Sequence, residues 1–179
     1  MKFKIFRFKR IKSTNSSAIK IIKNSNIKFG MIVTQAQYGG RGQYGKKWIS
    51  YKDNLFVSLF YPLENLKLSI RQLTKINCLI VKKLISRYYK KKIFYKKPND
   101  LLINRKKVCG ILQETIEKLN KQYLIVGIGI NLNKSPNIKN YPTISLDKLL
   151  NKKISKKKIE TELKNIFQKE LSKIYRFYK

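Results

Sequence analysis

The sequence predicts a single α+β domain built on a mostly antiparallel mixed sheet with helices packed on one side. Three observations predict it. Short apolar runs recur along the chain, separated by turn residues. Residues 92–131 read as consecutive strands with no helix between them. Longer segments with apolar residues at helical spacing lie before and after that block. At 179 residues the chain has the length of one domain able to bury a real core.

Residues 2–10 alternate in polarity like a strand, with Phe3, Ile5 and Phe8 facing inward. Ser13 to Ser17 offers several N-caps for a short helix running to about Lys23. Phe29 to Thr34 is a buried strand, and Asn54 to Tyr61 a second one stopped by Pro62. Ser69-Ile70-Arg71-Gln72 has the form of a capping box. Ile70, Leu73, Ile76, Ile80, Val81, Leu84 and Tyr88 then recur at helical spacing. Ile93 to Lys96 is a short strand before the turn residues Pro98-Asn99-Asp100. Leu101 to Ile103 and Lys107 to Ile116 form a hairpin around Asn104-Arg105, and Tyr123 to Ile130 a further strand. Gly127 and Gly129 inside that strand mark close approach by a ligand or another backbone. After a loop rich in Asn, Pro and Ser, residues 155–178 form an amphipathic helix. Its stripe is Ile159, Leu163, Ile166, Phe167, Ile174 and Tyr178.

The net charge of +33 is less specific than it looks. Only seven of the 42 cations are Arg, and the Lys residues are spread along the whole chain. Lys, Ile, Asn, Tyr and Phe share A- and T-rich codons, so genomic bias accounts for the excess without a specific nucleic-acid partner. Acidic partners are attracted whatever its origin. No apolar run approaches a membrane span, and the N-terminus does not look like a signal peptide. Cys78 and Cys109 form no metal or redox motif, which fits two buried reduced thiols in a cytoplasmic protein. With no His there is no Ser-His-Asp triad, no His-ligated zinc and no imidazole base. Only nine carboxylates are present. Any chemistry must rest on positioning and on cations that stabilise negative charge.

Gly39-Gly40-Arg41-Gly42-Gln43-Tyr44-Gly45-Lys46-Lys47-Trp48 carries four glycines among cations and ends on the only Trp. It reads as a loop that folds over an anionic, phosphorylated ligand and offers one aromatic face for stacking.

Extended back to Gln37, that loop (Gln37 through Trp48) is one of four segments whose residue types, order and spacing resemble the catalytic domain of biotin protein ligases. The others are Ser13-Thr14-Asn15, Lys96-Lys97-Pro98-Asn99-Asp100-Leu101 and Gly127-Ile128-Gly129-Ile130-Asn131. Lys107-Val108-Cys109-Gly110-Ile111-Leu112-Gln113-Glu114 also looks like the family. The resemblance covers roughly residues 3–133. It implies the fold shared by class II aminoacyl-tRNA synthetases and biotin ligases. It implies a two-step reaction in which biotin and ATP, with Mg2+, give biotinyl-5′-AMP. The biotinyl group then passes to a lysine of the biotin carboxyl carrier protein of acetyl-CoA carboxylase.

By the same resemblance, biotin is bound by Ser13, Thr14, Asn15, Gln37, Gly40, Arg41, Gly42, Gln43, Lys96, Gly127 and Gly129. The adenylate is bound by Arg41, Trp48, Lys96 and Asn131, and the catalytic cations are Lys96 and Arg41. Each residue also has a plainer reading. Ser13 serves as a helix cap, Gln37 as a strand-end residue, Trp48 as core and Lys96 as one more surface lysine. Asp100 is either a turn residue or a help to magnesium, and the metal ligands stay unassigned. Three departures stand out. Gln43 replaces an arginine that retains the adenylate, which predicts a leaky enzyme. Lys97 replaces a tryptophan. The family's small C-terminal β-barrel is not expected, nor an N-terminal helix-turn-helix domain, since only twelve residues precede Ser13. A monomer or homodimer is expected. The alternatives are lipoate or octanoate transfer, or a degenerate homologue with weak activity.

Overall fold

A computed structural model describes residues 1–64 and 66–177. Seven strands form one sheet in the order β1-β2-β3-β7-β6-β5-β4. They are β1 (Lys4–Ile11), β2 (Gly30–Gln37), β3 (Leu55–Pro62), β4 (Phe94–Lys96), β5 (Asp100–Ile103), β6 (Lys106–Lys118) and β7 (Lys121–Ile130). The helices are α1 (Thr14–Asn24), α2 (Ile70–Ile85), α3 (Leu146–Leu150) and α4 (Lys156–Phe177). Only β1 and β2 pair in parallel, and α1 makes the crossover that such a pair requires. The other neighbours are antiparallel, as expected.

The alternation of β2, β3 and β7 sends successive residues to opposite faces of the sheet. Met31, Val33, Leu55, Val57, Leu59, Leu124, Val126 and Ile128 join the large core beneath α2 and α4. From α2 this core takes Leu73, Val81, Leu84 and Ile85, and from α4 Ile159, Leu163, Phe167 and Leu171. Ile32, Phe60 and Ile125 point the other way, where Ala18 and Ile22 of α1 cover them. Helices α2 and α4 therefore share a face as expected, while α1 is found on the other. Its 11 residues span roughly 16 Å, too short to cover that face, and the uncovered part becomes the site.

Local signals act as read. Ser69 and Gln72 form a reciprocal capping box on α2. Asn104 and Arg105 take positive φ of 49° and 60°, making the tight turn of the β5–β6 hairpin. Phe8, expected inward, is 37 % exposed because β1 is an edge strand. Ile70, expected on the α2 stripe, is exposed on its first turn. Tyr178 lies outside the described residues.

Candidate functional site

The site is a cavity of about 870 Å³ on the α1 face of the sheet, within the range typical of small-molecule pockets. Strand register builds its floor. Gly110 of β6, Gly129 of β7 and Phe56 of β3 lie side by side, and Leu112, Gly127 and Ser58 form the next row. A Cβ on Gly129 would lie 2.4 Å from the Trp48 ring, and one on Gly110 would lie 2.6 Å from it. A Cβ on Gly127 would lie 2.3 Å from Asn15 Oδ1. The glycine pair marks close approach, but by the side chains of Asn15 and Trp48 and not by another backbone.

At the inner end, Ser13 does not act as a side-chain cap on α1. Gln37 does that work instead. Its Oε1 accepts from Thr14 N at 2.8 Å and from Thr14 Oγ1 at 3.2 Å, while Nε2 donates to Ser50 Oγ. Asn15 is also committed within the protein. Its Nδ2 donates to Leu112 O and to Glu114 Oε2, and its Oδ1 accepts from Ser58 Oγ. Of the first three predicted contacts, the Ser13 hydroxyl is the one without a hydrogen-bond partner among the described residues, and it lines the cavity.

The glycine loop folds as a small hairpin. Arg41 bridges to Lys47, Gly42 N donates to Lys46 O, and a 3-10 turn at Gln43–Gly45 makes the tip. Tyr44 and Gly45 adopt positive φ of 55° and 72° there. Gly40 is required for space, since a Cβ would lie 2.6 Å from Trp48 O. Gly42 and Gln43 line the cavity with Trp48. The Arg41 guanidinium is held by Glu114, Nη2 to Oε2, at 2.8 Å.

The two candidate lysines separate clearly. Lys96 is exposed at the rim, with Nζ 3.4 Å from Tyr141 Oη and 4.5 Å from that ring's centroid. Lys107, which opens the Lys107–Glu114 segment but carries no role by resemblance, reaches over the floor. A Cβ on Gly110 would lie 3.1 Å from its Nζ. That ammonium sits 2.8 Å from Asp100 Oδ1 and 5.2 Å from the Trp48 ring centroid, on a side chain only 19 % exposed. Tyr141, also missed, donates to Asp100 Oδ2. Burial, then its bond to Asp100, pushes its phenol well above the usual range. Tyr141 lies in a loop with no periodicity, so only the fold reveals it.

Asn131 closes the far wall. Its Nδ2 donates to Lys107 O and Ile144 O, which leaves Oδ1 buried without a partner. Trp48 Nε1 is likewise buried and unpaired. An unmet acceptor and an unmet donor in one cavity are costly unless a ligand meets them. Lys46, Lys47, Lys96, Lys97 and Lys139 surround the opening, all exposed. The lining residues include a single carboxylate, Asp100, already neutralised by Lys107. Among the described residues, no group of three or more His, Cys, Asp or Glu could hold a metal ion. No described helix is long and apolar enough to cross a membrane.

An α+β domain with a sheet-floored pocket, a half-buried ammonium beside a floor glycine and a cationic mouth is of a class suited to small anionic ligands. The chain belongs to the biotin/lipoate A/B protein ligase family, whose model matches residues 7–131. It is 33% identical over 129 residues to the bifunctional ligase/repressor BirA of Bacillus subtilis, covering 71% of this chain and 40% of that protein. It is 29% identical over 130 residues to the biotin–[acetyl-CoA-carboxylase] ligase of Paracoccus denitrificans, covering 71% of this chain and 54% of that protein. The chain thus spans about half or less of these relatives' length. Its structure is similar to biotin protein ligase from Aquifex aeolicus in complex with biotin and ATP. There the TM-score is 0.82 at 26% identity, covering 97% of this chain and 72% of that one. Likeness to Plasmodium falciparum LipL1 with lipoate is lower, with a TM-score of 0.58 at 13% identity over 96% of this chain and 63% of that one. That match speaks for the fold alone.

Proposed function

We propose that this chain catalyses ATP-dependent activation of biotin to biotinyl-5′-AMP and transfer of the biotinyl group to a lysine of a carboxyl carrier domain. The observation that carries the reading is Lys107. Its ammonium is held beside Gly110, 2.8 Å from Asp100 Oδ1, in a cavity also lined by the glycine loop and by Asn131, whose Oδ1 is unpaired. In the first step the biotin carboxylate attacks the α-phosphorus and pyrophosphate leaves. In the second the carrier amine attacks the acyl carbon and AMP leaves. Neither step needs a protein nucleophile, which suits a chain with no His. Both need a positive group where negative charge shifts between carboxylate and phosphoryl oxygens. We assign that role to Lys107, paired with Asp100 on a side chain only 19 % exposed, in place of the exposed Lys96.

The Ser13 hydroxyl and the N-terminus of α1 face the end suited to the polar ureido group, while Phe56 and Leu112 supply apolar floor. Trp48 offers a ring to stack on adenine and Asn131 Oδ1 an acceptor for a nucleotide N–H or O–H. Magnesium enters as the companion of ATP. The donor set fits an ion held mainly by phosphate oxygens, with Asp100 the one carboxylate in reach. Gln43, at the loop tip, leaves the adenylate less firmly held and favours its escape to bystander lysines.

The test is pyrophosphate exchange by the purified chain with Mg-ATP and either biotin or lipoate. Exchange driven by biotin and not by lipoate supports the reading. Exchange driven by lipoate, or by neither, overturns it. With a carrier domain and albumin present, labelling of both supports leakage, and labelling of the carrier alone removes it.

A further inference from the structure

Glu114 ends the Lys107–Glu114 segment, lies outside the cavity lining and has no role in the proposed chemistry. One of its oxygens, Oε2, accepts from two directions, from Asn15 Nδ2 at 2.6 Å and from Arg41 Nη2 at 2.8 Å. Asn15 is bonded in turn to Ser58 of β3 and to Leu112 of β6. On the other side, Arg41 opens the loop hairpin through its bridge to Lys47. Among the described residues, no other side-chain hydrogen bond or ion pair joins residues 41–47 to the rest of the fold. The Gln43, Tyr44, Lys46 and Lys47 side chains extend from that single tie.

We propose that Glu114 is a positioning residue that clamps the glycine loop over the pocket through Arg41 and ties the clamp to the α1 end through Asn15. This rests on the reading of the cavity as a biotin and nucleotide site. It reassigns Arg41, which acts through Glu114 instead of touching the reacting phosphate. The chemistry favours this, because the guanidinium is already satisfied by a carboxylate on the sheet while the Lys107 ammonium lies over the floor. It also links the two ends of the pocket. The oxygen that orients Asn15, beside Ser13, is the one that holds the loop above the nucleotide end.

The test is a double-mutant cycle of Arg41→Ala, Glu114→Ala and the double variant, read two ways. The first readout is backbone amide exchange over residues 39–48 in the ligand-free protein. Each single variant is expected to speed exchange there roughly tenfold, with the double variant matching the singles within about twofold. The second readout is the KM for ATP in biotin-dependent pyrophosphate exchange, expected to rise in all three by similar factors with kcat much less affected. Glu114→Gln keeps the side-chain shape should Glu114→Ala fail to fold. It is expected to move both readouts in the same direction by a smaller factor. Multiplying effects in the double variant overturn the proposal. So does a Glu114 variant with unchanged loop exchange and KM beside an Arg41 variant with lost turnover, since Arg41 would then touch phosphate itself. The two readings fail separately. A wild-type chain without biotin-dependent exchange sinks the functional reading, while amide exchange still judges the clamp without any substrate.

Discussion

The two faces of the sheet use the same strands for opposite purposes. Beneath α2 and α4, odd-numbered residues of β2 and β3 and even-numbered residues of β7 meet side chains that fill space, such as Leu59, Leu84, Val126 and Phe167. On the α1 face, Ile32, Phe60 and Ile125 pack under α1, while beside them the alternate positions include Gly110, Gly127, Gly129 and Ser58, whose side chains are small or absent. One face is closed by two long helices and the other by one short helix and a loop. Burial of apolar area fixes the first. The second is fixed by hydrogen bonds and ion pairs, and it leaves a buried donor and acceptor unmet. A sheet that supplies a rigid back to a polar, incompletely satisfied front can hold small groups in position without itself collapsing.

Substitutions should therefore separate stability from activity by face. The largest effect is expected for Lys107→Ala, which should lower kcat for biotin-dependent pyrophosphate exchange by roughly 10² to 10³-fold with little change in melting temperature. Lys96→Ala should cost far less, and equal losses would erase the distinction between floor and rim. On the other face, Leu84→Ala should destabilise the fold by about 2–5 kcal/mol in denaturant unfolding. Its KM for biotin should stay unchanged in the folded fraction.

Gly129→Ala sharpens the contrast, because it adds volume where a glycine sits against Trp48. Overpacking of this sort typically costs about 1–3 kcal/mol. The added methyl should also shift Trp48 fluorescence, which Leu84→Ala should not. An unchanged emission spectrum would mean that the indole does not rest on the floor.

The thiols offer a subtler check on the closed face. Burial pushes Cys78 up to about 12 and Cys109 well above its ordinary value. Neither should react with a thiol reagent at pH 8 in the native protein, and both should react in denaturant. Rapid native labelling would show that this face opens.

The smallest effect concerns the helix pair on that face. The hydrogen bond from Lys83 holds Glu170 below its usual range. A lowered carboxylate pKa stabilises the fold fully above the unfolded value of about 4.3, and the contribution fades as pH falls through the lower folded value. Lys83→Ala should cost at most about 1 kcal/mol at pH 7, since the pair is partly exposed, and progressively less in acid. A difference that grew on acidification would contradict the assignment.

Much of this architecture was legible in one dimension because it depends on local chemistry. Period-two runs placed the strands, the Ser69–Gln72 pair started α2, and the glycine run marked the loop. The site was legible as a set of segments, but not as roles. Lys96 and Lys107 look alike in sequence, both at strand ends in a Lys-rich chain. What separates them is the β5–β6 hairpin, which turns Lys107 onto the glycine floor beside Asp100 and leaves Lys96 at the rim.

Gln37, a ligand contact by resemblance, lines the cavity. Only the packing of α1 against β2 made it the partner that caps Thr14. Tyr141 carried no signal at all, and Glu114 none beyond its place in the Lys107–Glu114 segment, because their partners lie 41 and 73 residues away. The sequence by itself determined the strand and helix pattern, the need for an open backbone around Gly127 and Gly129, and a chemistry without imidazole. The tertiary structure decided which cation stands over the floor and which carboxylate holds the loop. Both are set by strand register and long-range hydrogen bonding, which no local periodicity encodes.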